Sequence, residues 1–142
     1  MTRRNKDLGD WGESQACGFL ERHGFEIIER NFFTTVGEID IVARKGDDYY
    51  LRRGREDSKL ACFPEPRSKY GDLYFVEVKT RRGRELATDA AITPLKKYRF
   101  FKTINQYCYR RGIANVGLIA AGIIVGVDKI RRSVRFRLAV WN

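Results

Sequence analysis

Glu77 and Lys79 stand two positions apart inside Leu73-Tyr74-Phe75-Val76-Glu77-Val78-Lys79-Thr80, a run otherwise apolar enough to be a buried strand. Burying either charge alone is costly, so a carboxylate and an amine placed there need a chemical reason. Side chains alternate faces along a strand, which sets Glu77 and Lys79 on one side, roughly 7 Å apart along the backbone. More acid lies upstream in Gly37-Glu38-Ile39-Asp40-Ile41-Val42-Ala43, where alternation puts Glu38 and Asp40 on one face and Ile39, Ile41 and Ala43 on the other. Two acids and a lysine among Val and Ile are the residue types of a metal-dependent site acting on phosphate esters. Phosphodiester cleavage needs an in-line water, charge neutralisation on the phosphate and help for the leaving oxygen, and a divalent cation held by carboxylates supplies most of this. Mg2+ (or Mn2+) suits such a set, since Mg2+ takes oxygen ligands, keeps several waters and is held by one or two carboxylates plus the substrate phosphate. On this reading Asp40 and Glu77 bind the metal, with the Val78 carbonyl at one edge. Lys79 orients or deprotonates the attacking water and stabilises the phosphorane charge, and Glu13 joins as a third acid from a helix.

The elements that must position these residues follow from periodicity. Lys6 to His23 reads as a helix with Leu8, Trp11, Ala16, Phe19 and Leu20 expected on one arc and Gly24 as its stop. Glu13 falls about 20° from Leu20 at 100° per residue, on the shoulder of that arc. Phe25 to Phe33 and Glu38 to Arg44 read as a hairpin around Thr34-Thr35-Val36-Gly37. Tyr49-Tyr50-Leu51 then gives way to the polar stretch Arg52 to Asp72, which holds Pro64 and Pro66 and reads as an excursion from a hairpin or an extended pair of strands. Thr93-Pro94 opens a second long helix, with Thr93 as N-cap and Pro94 at its first position. Leu95, Tyr98, Phe101, Ile104 or Asn105, and Cys108 are expected to pack on the sheet, with Lys96, Arg99 and Lys102 on the flanks. Val116 to Val127 and Ser133 to Trp141 close the chain as strands, giving the order αβββαββ.

The 142 residues suffice for one domain with a real core, and none of the sequence repeats. Lys and Arg number 28 against 18 Asp and Glu, a formal charge of +10 that favours a polyanionic partner, nucleic acid above all. The cations cluster in Lys79 to Arg84, Lys96 to Lys102 and Arg110-Arg111. Cys17, Cys62 and Cys108 are widely spaced and accompanied by the single His23, so neither a disulfide framework nor a zinc pair is visible and a reduced, cytoplasmic setting is expected. No apolar stretch behind Met1 has the form of a signal peptide. Ile113 to Val127 is apolar but short of the roughly 20 residues a spanning helix needs, and is read as buried strand rather than membrane. The lone histidine argues against nucleases that need a histidine pair, and no G-x-x-x-x-G-K-[ST] loop marks a nucleotide-hydrolysing motor.

The set Gly12-Glu13, Asn31, Gly37-Glu38-Ile39-Asp40, Phe75-Val76-Glu77-Val78-Lys79-Thr80-Arg81 and Ala91-Ile92-Thr93-Pro94-Leu95-Lys96 resembles the YraN family, described as predicted endonucleases. The resemblance spans roughly Leu8 to Arg111. It implies a restriction-endonuclease-like α/β fold of the PD-(D/E)xK superfamily, a central mixed sheet flanked by helices with a core similar to that of Holliday-junction resolvases. It also implies Asp40 and Glu77 as metal carboxylates, Lys79 as the catalytic lysine and Glu13 as the additional helix acid. Thr80, Arg81, Arg82 and Lys96 become phosphate contacts or, equally, a solvated basic flank, and Glu38 keeps no settled role. Asp40 and Glu77 are 37 positions apart where the family has a tight hairpin, so residues 52–72 read as an insertion of about twenty residues. The apolar run Val116 to Val127 also departs from the family pattern, which leaves the last strands and any homodimer contacts open.

Two functional readings follow. The first is a Mg2+-dependent endonuclease acting on structured or branched DNA, in preference to RNA. The second is a nucleic-acid-binding module, or accessory subunit of a repair complex, that keeps the fold without cutting.

Overall fold

The computed structural model describes residues 3–45, 72–82, 92–114 and 116–141. Within them the chain runs α1 (Arg3–Arg22), β1 (Phe25–Phe33), β2 (Glu38–Lys45), β3 (Asp72–Arg82), α2 (Pro94–Arg111), β4 (Gly117–Asp128) and β5 (Ser133–Val140). The expected order αβββαββ holds. All five strands form one sheet in the order β1-β2-β3-β4-β5. Neighbours are antiparallel except β3 and β4, which run parallel and are joined through α2, since parallel partners need a crossover. The fold is therefore mixed α/β, a five-stranded mixed sheet flanked by helices. Most of the expected insertion over 52–72, the Tyr49-Tyr50-Leu51 run and the basic loop from Gly83 onward lie outside the described residues.

Local chemistry explains where the elements stop. Gly24 adopts φ +86, a left-handed conformation that ends α1 at little cost without a Cβ. Thr34 closes the β1–β2 turn, its Oγ1 accepting from the Val36 and Gly37 N–H groups at 3.1 Å each. The Thr93 side chain caps α2 by accepting from the Lys96 N–H at 3.2 Å, and Gly112 at φ +63 terminates it.

The two helices cover opposite faces. Ala16, Cys17 and Leu20 of α1 pack with Ile41, Ala43, Tyr74, Val76, Ile119, Ile123 and Val125. Phe100, Ile104 and Tyr107 of α2 pack with Phe32, Ile39, Val42, Phe75 and Ala120. Arg111 anchors the end of α2 to β1 through a two-pronged pair with Glu29, at 2.6 and 3.2 Å. Cys17 and Cys108 are both free thiols, and no described helix is long and apolar enough to cross a membrane. Ile113 to Val127 is mostly β4, buried along nearly its whole length.

Two expected helix faces are corrected. Trp11 is exposed at 37% because at 100° per residue it lies opposite Leu20, and the residue that meets the sheet is its neighbour Gly12. On α2, Leu95 and Tyr98 are 59% and 62% exposed, while Phe100, Thr103, Ile104 and Tyr107 are buried. Aromatic residues occur on every side of this helix, so threes and fours can be counted along more than one stripe. Packing against Phe32 and Phe75 selects the stripe that includes Thr103, whose hydroxyl is satisfied by donating to the Arg99 carbonyl at 2.9 Å.

Candidate active site

β3 has a different neighbour on each side. With β4 it is in register from Asp72 to Arg82, whereas with β2 the ladder covers Leu73 to Val76 only, ending at the pair Ile41 and Val76. Beyond that point the Val78 N–H donates to Asp40 Oδ2 at 2.7 Å, so a carboxylate takes the place of the next ladder bond. Asp40 is thus held in a notch between two strands that have parted.

The side-chain pattern of β2 changes at the same point. Ile39 belongs to the core on the α2 face and Ile41 to the core on the α1 face, which strict alternation would forbid. The expected sharing of one face by Ile39, Ile41 and Ala43 is corrected accordingly: the side-chain pattern slips at Asp40. In β1, Asn31 sits between the paired residues Arg30 and Phe32 with φ +55, and there Arg30 turns to Glu13 on α1 while Phe32 packs under α2. Asparagine tolerates the left-handed region better than other side-chain-bearing residues.

α1 supplies the second acid. Gly12 lies so close to β3 that a Cβ would stand 1.8 Å from Thr80 Oγ1 and 3.1 Å from Thr80 Cβ. Only glycine permits that approach, and it brings the next residue, Glu13, into the cleft beside Asp40. Leu8, Gly9, Glu13, Glu38, Asp40, Glu77, Val78 and Thr80 together line one open cleft.

The electrostatics are those of crowded acids. Burial pushes the Asp40 carboxyl up from 3.8 to about 7; the Val78 N–H opposes this, and Glu13, Glu38 and Glu77 add to it. Burial also raises Glu13, against the pull of Arg30, whose guanidinium lies 3.9 Å from its carboxylate. Protons in the notch therefore belong to a cluster rather than to one residue.

Glu77 reaches the cleft from the other face. Tyr74 and Val76 pack under α1 and Leu73 and Phe75 under α2, so alternation places Glu77, Lys79 and Arg81 on the α2 face. There Glu77 Oε1 pairs with Lys96 Nζ at 2.7 Å, and Glu77 Oε2 is buried with no hydrogen-bond partner. Lys79 faces the same pair; burial lowers its amine, the Lys96 ammonium lowers it further, and Glu77 opposes. Of the residues singled out from the sequence, Glu13, Asp40, Glu38, Glu77 and Thr80 come together around the cleft, while Lys79, Arg81 and Lys96 gather on the α2 side of it. Arg82 ends β3 exposed. Lys96, expected as a phosphate contact or part of a solvated basic flank, pairs with Glu77. Arg30, its partnership with Glu13, and the bend at Asn31 carry no sequence signal, because each depends on contacts between elements.

The donors fit a hard divalent cation in kind. Asp40, Glu77 and Glu13 offer carboxylate oxygens only, and the orphaned Glu77 Oε2 is a buried acceptor with nothing to accept from. Among the described residues, however, no three His, Cys, Asp or Glu side chains converge closely enough to form a ready-made cage. The reason is visible: Asp40 is turned to the Val78 N–H and Glu13, and Glu77 to Lys96.

Comparison with known proteins gives a consistent result. A model of the family described as "Uncharacterised protein family UPF0102" matches residues 12–139, a span that includes Glu13, Asp40, Glu77 and Lys79. A UPF0102 protein of Roseiflexus castenholzii is 41% identical over 108 residues, covering 75% of this chain and 68% of the relative. One from Helicobacter pylori strain J99 is 36% identical over 107 residues, covering 75% and 71%, and one from Caldicellulosiruptor saccharolyticus is 30% identical over 106 residues, covering 75% and 70%.

Proposed function

This chain belongs to the UPF0102 family, the YraN-like proteins, and from the notch between β2 and β3 we propose that it is a metal-dependent endonuclease of restriction-endonuclease-like fold. Its substrate is structured or branched DNA. The observation that carries this reading is the parted ladder itself: Asp40 is buried in the gap, held by the Val78 N–H at 2.7 Å, with Glu13 on one side and the unpartnered Glu77 Oε2 on the other. A binding module has no use for three acids beside a phosphate, which they repel.

Asp40 and Glu77 would hold Mg2+ or Mn2+, with Glu13 as the further acid, and the cation would supply charge neutralisation and an activated water. Burial pushes the Asp40 and Glu13 carboxyls up, which eases the crowding of negative charge in the notch. Glu77 keeps Oε2 available while Lys96 balances Oε1. Lys79, its amine lowered by burial and by Lys96, orients the water or takes its proton and faces the charge that grows on the phosphate. Thr80, at the closest approach of α1, lines the cleft where a phosphate oxygen would lie.

A second reading, the non-catalytic nucleic-acid-binding module, is favoured by one observation, the Lys96–Glu77 pair, which neutralises a carboxylate without metal. The deciding experiment is cleavage of a labelled panel of single strand, duplex, flap, four-way junction and RNA with Mg2+ or Mn2+, for the wild type, Asp40→Ala and Lys79→Ala. Cutting by the wild type that both substitutions abolish, with binding retained, supports the endonuclease. Binding without cutting under every metal condition transfers the case to the binding module.

A further inference from the structure

The outer side of α2 is unlike that of an ordinary surface helix, because Pro94–Arg111 carries six Lys and Arg and no Asp or Glu. Phe100, Ile104 and Tyr107 bury one side of the helix against the sheet. At 100° per residue, Leu95, Tyr98, Lys102, Asn105 and Tyr109 recur at threes and fours along the opposite side, within an arc of about 80°. Leu95, Tyr98 and Tyr109 are 59%, 62% and 90% exposed, and Lys102 and Asn105 are exposed among them. Single apolar residues are ordinary on a protein surface, but three in one stripe of a helix whose other side is already packed form a patch. Lys102 Nζ stands 5.7 Å from the centroid of the Tyr98 ring, one turn away. Three of the six cations are occupied: Lys96 pairs with Glu77, Arg111 pairs with Glu29, and Arg110 lies over Phe32. Lys97, Arg99 and Lys102 form no ion pair among the described residues, and Arg99 and Lys102 are exposed.

We infer that this stripe is a platform for an unpaired nucleic-acid strand, whose bases stack on Tyr98 and Tyr109 while Arg99 and Lys102 meet the phosphates between them. The inference rests on the proposed function for its nucleic-acid partner and adds the form of the strand, unpaired where it passes α2. A tyrosine ring offers a flat face to any base, and a base offers its own face only when it is not stacked in a duplex. Tyr98 and Tyr109 are eleven residues apart, roughly 16 Å along the helix axis, so each takes its own base. Asn105, between the rings, adds donors and an acceptor for a base edge. The platform begins beside the candidate site, since Lys96, which reaches Glu77, stands between Leu95 and Tyr98 in the first turns of α2. Charge commits the occupant. A second copy of the chain docked here would set the cations of one α2 against those of the other, and like charges oppose that contact. A helix that lies on a membrane buries a continuous apolar face, and of these five residues Leu95 alone is aliphatic.

The test measures binding with chelator present, so that cleavage plays no part and a failed cleavage panel leaves the result standing. A single strand carrying 2-aminopurine, and its duplex, are titrated against the wild type, Tyr98→Leu/Tyr109→Leu, Tyr98→Phe/Tyr109→Phe and a control, Phe33→Leu. Phe33 is as exposed as Tyr98, at 62%, but belongs to β1. The leucine pair should bind the single strand more weakly by roughly tenfold for each ring, and should lose the fluorescence quenching that stacking produces. The phenylalanine pair should keep both, and duplex affinity should change far less. Lys102→Gln should lower the slope of log affinity against log salt by about 0.7 on the single strand. Equal losses in the leucine pair and the control, equal losses on strand and duplex, or no loss would each overturn the inference. So would a wild type that does not bind the single strand, that prefers phosphatidylglycerol vesicles to it, or that sediments as a dimer which the leucine pair dissociates. A readout that needs no variant is photocrosslinking of a 5-iodouracil strand to the wild type, mapped by mass spectrometry. Adducts at Tyr98 or Tyr109 support the platform; their absence from both removes it.

Discussion

The two edges of β3 have opposite characters. Toward β4 every position from Asp72 to Arg82 is in register in a parallel ladder, while toward β2 pairing stops at Val76 and an aspartate takes the next N–H. The closed edge holds the strand still; the open edge admits acids that a continuous sheet would exclude. Glu77, Val78 and Lys79 are thus fixed by one neighbour so that they can serve a cleft made by the absence of the other. This is how an α/β core carries buried charge: the polar groups occupy the place where the ladder fails, and the ladder on the far side maintains their geometry.

The largest expected effect is on chemistry at the open edge. If Asp40 is a metal carboxylate, its loss removes several kcal/mol of transition-state stabilisation, on the order of 10³-fold in rate. Single-turnover cleavage by Asp40→Ala that stays within tenfold of the wild type would remove Asp40 from the mechanism.

Next comes stability against pH. Because Asp40 is raised from 3.8 to about 7, the folded protein keeps a proton that the unfolded chain releases, so stability falls as pH rises between those values. Asp40→Asn should flatten that slope and, above pH 7, gain stability over the wild type by on the order of a few kcal/mol, read from denaturant midpoints. Mg2+ should recover part of the wild-type deficit and leave the Asn variant unmoved. A wild-type profile that rises over this range contradicts the crowded-acid picture.

Hydrogen exchange compares the two edges directly. Asp40→Ala should accelerate exchange of the Val78 amide by about 10-fold, the worth of one hydrogen bond, and leave the amides facing β4 near wild-type rates. Uniform acceleration along β3 would mean the strand has no closed edge.

Gly12→Ala forces α1 away from Thr80 and should cost about 1–3 kcal/mol by overpacking. Gly12→Ala/Thr80→Ala should recover part of it, since the nearest conflict is with the hydroxyl. Smallest is Lys96→Gln, which frees Glu77 from a partly exposed ion pair worth up to about 1 kcal/mol. Titration should show Mn2+ binding tightened by no more than about fivefold, and weakened binding would show that Lys96 supports the site rather than competing for it.

Much of this was legible from residues in order. The apolar runs of β1 to β5, the Thr93-Pro94 start of α2 and the Gly24 stop of α1 are local signals, and each element lies where its run does. Helix faces were less legible: Trp11 and Tyr98 lie on stripes that spacing permits and packing rejects, because a helix with aromatic residues on several sides has no preferred face until a sheet is set against it. Even β2, an alternating pattern by eye, changes face at Asp40, opposite the left-handed Asn31 of another strand.

The sequence by itself determined the elements, their order, the basic balance and the acids and lysine that could do chemistry, because propensity, capping and alternation act over a few neighbouring residues. Tertiary structure alone decided that α1 would approach β3 at Gly12, that the β2–β3 ladder would part at Asp40, and that Lys96 would close on Glu77. Those are contacts between segments far apart in the chain, set by which surfaces can pack and which backbone groups find partners, and no spacing within one segment encodes them.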